Sequence, residues 1–91
     1  MYYLWNMDYE TSLTRLGTAL RKARLERGLT QVDVAKRAGL VRGRVIQAEK
    51  GDPSLSMRSY AQLVAALGME LNLVPATRPT LDDIHELMAD D

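Results

Sequence analysis

The stretch Gly28-Leu29-Thr30-Gln31-Val32-Asp33-Val34-Ala35-Lys36-Arg37-Ala38-Gly39-Leu40-Val41-Arg42-Gly43-Arg44-Val45-Ile46-Gln47-Ala48-Glu49-Lys50-Gly51 reads as two short helices joined by a tight glycine turn. Thr30 suits an N-cap, and Asp33 three residues on completes an approximate capping box. Leu29 and Val34 have the spacing of a hydrophobic staple, as do Leu40 and Val45. Val34, Ala35 and Ala38 fall on one inward face, and Gly39 supplies the positive φ that so short a connection needs. The second of these helices, about Arg42 to Lys50, carries Arg42, Arg44 and Gln47 outward.

Working outward, Leu13, Leu16, Leu20 and Ala23 recur at helical spacing and predict a preceding helix from about Thr11 or Ser12 to Arg27. Its last turns are rich in cations, which favour a helix C-terminus, and Gly28 suits the stop. Gly51-Asp52-Pro53 ends the Arg42 helix. A fourth helix starts from Ser56 as N-cap, lines its inner face with Tyr60, Leu63, Val64 and Leu67, and stops at Gly68. Beyond it Met69-Glu70-Leu71-Asn72-Leu73-Val74 alternates apolar and polar until Pro75, the pattern of a strand. A lone strand leaves backbone groups unpaired, so Glu70, Leu71, Asn72, Leu73 and Val74 are expected to pair with the same strand of a second copy. The alternative is a loop or helix extension that merely alternates.

These readings divide the chain into an aromatic N-terminal segment (1–10), a helical body (11–68), a dimerisation strand (69–75), and a linker with an acidic amphipathic tail (76–91). Trp5 and its neighbouring tyrosines carry too much aromatic surface to stay solvated. Leu81, Ile84 and Met88 share one face of the tail, so Trp5, Leu81, Ile84 and Met88 are candidate docking residues.

The net charge of zero conceals an asymmetry. From Thr11 to Tyr60 there are 11 Lys/Arg against 4 Asp/Glu, a net of +7, whereas residues 61–91 carry a net of −5. A basic body is an electrostatic footprint for nucleic acid. Arg42 and Arg44 can each bind guanine O6 and N7, Gln47 can pair adenine, Val41 can touch a thymine methyl, and Gly43 lets backbone approach closely. Gln31 is placed for a phosphate beside free backbone N–H groups, with Lys50 and Arg58 as further phosphate candidates. A solvated helix face would explain each of these singly; the surrounding frame of caps and glycines favours DNA. Arg24 and Glu49 are expected to form an ion pair joining the first helix to the end of the third.

The chain has no cysteine and one histidine, which leaves no thiolate metal site and no histidine cage. No metal or cofactor is expected. The best catalytic cluster, Asp82, Asp83, His85, Glu86, Asp90 and Asp91, sits on the tail without a pocket, so an enzyme is not expected. No run of about 18 apolar residues and no signal-like N-terminus occurs, which points to a cytoplasmic, nucleoid-associated protein with no membrane partner.

Residues 17–67 resemble the Cro/repressor (XRE-type) helix-turn-helix family through Arg24, Gly28, Thr30, Gln31, Ala35, Gly39, Leu40, Val45, Glu49 and Gly51. The resemblance implies a mainly α, five-helix, lambda-repressor-like domain whose third helix reads the major groove of a near-palindromic double-stranded operator as a homodimer. It also implies the Arg24–Glu49 pair and the Gln31 phosphate contact. Three positions depart from the family pattern: Val41 where Ser or Thr usually caps, apolar Ile46, and small Ala48. The order of fourth helix, strand and short tail is similar to HipB-type antitoxins, which dimerise through an intermolecular sheet and bind a HipA-type kinase toxin. That likeness implies an antitoxin repressor. A stand-alone or phage-type repressor is the alternative, and a protein-interaction regulator that no longer binds DNA is the third reading.

Overall fold

The computed structural model describes residues 8–76. Four helices form: α1 (Tyr9–Glu26), α2 (Gln31–Ala38), α3 (Arg42–Glu49) and α4 (Met57–Ala66). A fifth helix is not among the described residues. Trp5, Leu81, Ile84 and Met88 lie outside them.

Each helix start has a local cause. The Asp8 side chain accepts from Thr11 N at 2.8 Å, so α1 begins at Tyr9, two residues before the expected Thr11. This places Tyr9, an aromatic of the N-terminal segment, on the helix, where it is exposed. At α2 the capping box closes fully: Asp33 N donates to Thr30 Oγ1 at 3.0 Å, and Thr30 N donates to Asp33 Oδ2 at 2.9 Å. The Ser56 hydroxyl caps α4 by accepting from Ser59 N at 3.1 Å. Among the described helices only α3 starts uncapped by a side chain, because the Val41 side chain has no oxygen to offer.

α1 packs against α3, and α2 packs against α3 and α4. The core is filled by Leu20, Val34, Val45, Leu55, Tyr60, Leu63, Val64 and Leu67, with Ala23, Ala35 and Ala48 where helices approach. Two glycines set the closest approach. A Cβ on Gly17 of α1 would stand 2.6 Å from the Glu49 carbonyl oxygen and 2.7 Å from that of Ala48. Gly51 has φ +73°, and a Cβ there would lie 2.5 Å from the Leu13 carbonyl oxygen. Backbone therefore meets backbone at the α1–α3 crossing. Ala48 is wholly buried at this crossing.

Tyr60 anchors the α3–α4 loop from inside the core, donating its hydroxyl to the Asp52 carbonyl oxygen at 2.7 Å. Burial, and then the nearby Asp52 charge, push the Tyr60 hydroxyl pKa up from its usual value.

Residues 69–76 carry no regular secondary structure, so the expected strand over Glu70 to Val74 is not formed in the single chain. Met69 N still bonds the Val64 carbonyl at 3.0 Å, and Leu73 N takes the neighbouring Asn72 side chain at 2.9 Å. From Glu70 onward no backbone group bonds another described segment. A strand is defined by its partner, and one copy provides none.

Candidate nucleic-acid interface

The exposed side of the α2–α3 unit mixes charged and apolar side chains, Arg42 and Arg44 beside Val41. Val45 and Ala48 turn α3 inward, and the opposite side leaves the N-cap residue Val41 and first-turn Arg42, Gly43 and Arg44 exposed. Nothing lies within 4 Å of where a Gly43 Cβ would be, so the helix surface there is open. Ile46 and Gln47 are half-buried on the flank, and Lys50 and Arg58 are exposed beyond it.

Behind this face runs a chain of polar contacts. Arg24 Nε donates to Glu49 Oε2 at 2.6 Å and Arg24 Nη2 to Glu49 Oε1 at 3.1 Å, a two-pronged pair. Arg24 Nη1 also donates to the Leu29 carbonyl at 2.9 Å, tying the pair to the turn before α2. Both side chains are deeply buried, with only 10% and 7% of their surface exposed. Glu49 Oε1 accepts in addition from Gln31 Nε2 at 3.2 Å, and Gln31 Oε1 accepts from Arg42 Nε at 3.3 Å. In the sequence Arg24–Glu49, Gln31 and Arg42 stand as separate contributors; the structure joins them into one relay from α1 to the first residue of α3. Each link is non-local, and no spacing rule reports it.

Gln47 is placed differently from the expectation. Its Nε2 donates to Asp52 Oδ2 at 3.1 Å, and Asp52 Oδ1 accepts from Ser54 Oγ at 2.7 Å and Ser54 N at 2.8 Å. The Ser54 hydroxyl and N–H, with the Gln47 amide, hold the Asp52 carboxyl below its usual range. Asp52 is thus a hub for the loop after α3; in the sequence Gly51-Asp52-Pro53 marks only a helix stop. Reading of adenine by Gln47 would compete with this bond.

The N-terminal turn of α2 offers Thr30 and Gln31 at the positive end of its helix dipole. The Thr30 N–H and hydroxyl keep the Asp33 carboxyl below the usual carboxylate range, the N–H contributing most. No described helix is long and apolar enough to cross a membrane.

A family model described as "Helix-turn-helix domain" matches residues 15–77, well over half of the chain. The chain is also similar to an uncharacterized HTH-type transcriptional regulator of Methanothermobacter thermautotrophicus, 42% identical over 53 residues that make up 58% of this chain and 77% of that protein. The matched region contains α2, α3, α4 and all of α1 after its first six residues, and the family is one of non-catalytic regulators, so the protein is not an enzyme. A capped α2, a positive-φ Gly39 and an exposed α3 on a four-helix body, together with these matches, place the chain in the helix-turn-helix family of DNA-binding transcriptional regulators.

Proposed function

We propose that the protein is a homodimeric, sequence-specific repressor that lays α3 in the major groove of a near-palindromic operator. The observation that carries this reading is the exposed first turn of α3, where Val41, Arg42, Gly43 and Arg44 stand clear of the core. Arg42 and Arg44 each take a guanine, Val41 meets a thymine methyl, and Gly43 lets the backbone come close. Gln31, Lys50 and Arg58 bind phosphates, with Gln31 orienting Arg42 from behind. Gln47 reads a base only by leaving Asp52.

In this reading residues 11–68 form the DNA-binding body, 69–75 pair with the same segment of a second copy, and 76–91 are linker and tail. The unpaired backbone after Met69 and the exposed Leu71, Leu73 and Val74 support pairing, since Leu73 is 97% exposed in the single chain. The position of that segment directly after α4, as in HipB-type antitoxins, supports a role as antitoxin to a HipA-type kinase.

A gel-shift with the chain's own promoter, with and without a co-purified partner, tests the proposal. A shift by the chain alone, enhanced by a kinase-like partner encoded next to it, is expected. A shift with no such partner would make it a stand-alone or phage-type repressor. Absence of a shift at low salt would overturn DNA binding and leave the protein-interaction reading. For the dimer, Leu71→Pro should sediment as a monomer, and an unchanged dimer would refute the 69–75 interface.

A further inference from the structure

An open groove lies between the end of α1 and the start of α2, and its walls are of two kinds. Arg21 and Arg42 edge it with positive charge, while Leu25, Leu29 and Val32 give it an apolar floor. Leu25 and Val32 are 50% and 44% exposed, and no described segment covers them. A DNA backbone would satisfy the arginines but offers nothing to the apolar floor. An acidic amphipathic peptide satisfies both.

The chain contains such a peptide. Residues 81–88 place Leu81, Ile84 and Met88 at helical spacing, with Asp82, Asp83 and Glu86 between them. We propose that this segment docks in the α1–α2 groove of its own chain, its apolar face on Leu25 and Val32 and its carboxylates on Arg21 and Arg42. Reach is not limiting. Leu67, just past the end of α4, lines the same interior pocket as Arg24, and Arg24 also lines the groove. The stretch from Gly68 to Leu81 then spans up to about 45 Å when extended.

Arg42 and Gln31 line this groove and also belong to the DNA face. The docked segment therefore competes with DNA, an autoinhibition that rests on the DNA-contact role proposed above; the docking itself does not. A partner that captured the tail would raise DNA affinity by freeing the groove.

The absence of cysteine makes a clean test. In the full chain, Val32→Cys with Ile84→Cys is oxidised at low salt without DNA, beside a control pair of Ala65→Cys, at an exposed position of α4, with Ile84→Cys. A monomeric 32–84 linkage, found by mass spectrometry and far exceeding the 65–84 linkage, is expected. Equal linkage in both pairs, no 32–84 linkage, or linkage only between two copies would overturn docking within the chain. Separately, Ile84→Ser with Met88→Ser, which changes no charge, should tighten binding to a mixed-sequence DNA duplex about five-fold, as for a segment docked about four-fifths of the time. A 32–84 linkage with unchanged duplex affinity would overturn the competition. Loss of duplex binding by every form, with the linkage intact, would count against the DNA reading and not against docking.

Discussion

Gln31 and Glu49 are hydrogen-bonded, Gln31 Nε2 to Glu49 Oε1 at 3.2 Å, so the first residue of α2 is held by the last residue of α3. The same carboxylate holds Arg24 of α1 with both its oxygens. One buried acid therefore fixes three helices and sets which way the Gln31 amide faces: with its nitrogen drawn to Glu49, its oxygen is left for Arg42. Structure and proposed function meet at this point, because the positioning of a surface arginine depends on an interior ion pair.

That arrangement makes the pair costly to break and cheap to replace. Arg24→Met or Glu49→Leu alone should destabilise the fold by about 3 kcal/mol, since each strands a buried charge. The double substitution should cost no more than either single one, giving a coupling of at least about 3 kcal/mol in urea unfolding. Strictly additive losses would mean the charges are solvated.

Two glycines on helices should respond in opposite directions to the same change. Alanine generally gains about 1 kcal/mol over glycine inside a helix. At Gly43 nothing obstructs a Cβ, so Gly43→Ala should raise the melting temperature while weakening the close approach proposed for DNA. At Gly17 the Cβ would sit 2.6 Å from the Glu49 carbonyl, and backbone cannot rotate aside. Gly17→Ala should lower stability by about 1–3 kcal/mol through overpacking. Thermal melts that shifted both variants upward would remove the α1–α3 close approach from the account.

These two residues also mark the boundary of what a sequence can reveal. Thr30 with Asp33, Ser56, and the stops at Gly39 and Gly68 are legible because cap and turn chemistry acts over three or four residues. Leu20, Val34, Val45 and Leu63 are legible because helical period exposes their common face. Gly17 reads as nothing more than a weak helix residue, since its reason is the carbonyl of Glu49, far away in sequence. The bond from Gln47 to Asp52 is hidden for a related reason: an amide on the flank of a helix has the same composition whether it faces a ligand or holds the next loop. At Asp8 the cap signal is local, but the aromatic cluster around it masks the start of α1.

Val41 leaves the start of α3 without a side-chain cap, which opens a route to stabilisation. Val41→Ser should add about 1 kcal/mol by giving the first-turn N–H groups an acceptor, whereas Thr30→Ala should remove about as much from α2. The two effects are measurable as opposite shifts in urea midpoint at unchanged m-value. If Val41 contacts a thymine methyl, the more stable Val41→Ser variant will bind its operator less tightly.

Acid should weaken the fold through its caps. Asp8 is held below its ordinary pKa by the Thr11 N–H, Asp33 by the Thr30 N–H, and Asp52 first by the Ser54 hydroxyl. A carboxylate whose folded pKa is depressed contributes stability that is fully present above its unfolded value, about 3.9, and is lost as pH falls through the folded value. Melting temperature should therefore be flat near neutrality and drop below about pH 4. Asp33→Asn should flatten part of that drop, because asparagine caps without titrating. An unchanged acid limb in this variant would remove Asp33 from the account.

Arg44 offers the sharpest test of how the exposed turn of α3 is used. It is exposed, and none of the hydrogen bonds that tie Arg24, Arg42 and Gln47 to the body reaches it. If it reads a guanine, Arg44→Ala should cost about 1–3 kcal/mol of operator binding and relax preference at one base pair per half-site, with folding stability unchanged. Lys50→Ala and Arg58→Ala should instead weaken all duplexes alike and each lower the salt slope by about one. Selection of bound sequences from a random pool distinguishes these outcomes directly. A uniform loss on Arg44→Ala would make it a phosphate contact, shifting the guanine-reading role to Arg42, whose orientation depends on Gln31 and, through it, on Glu49.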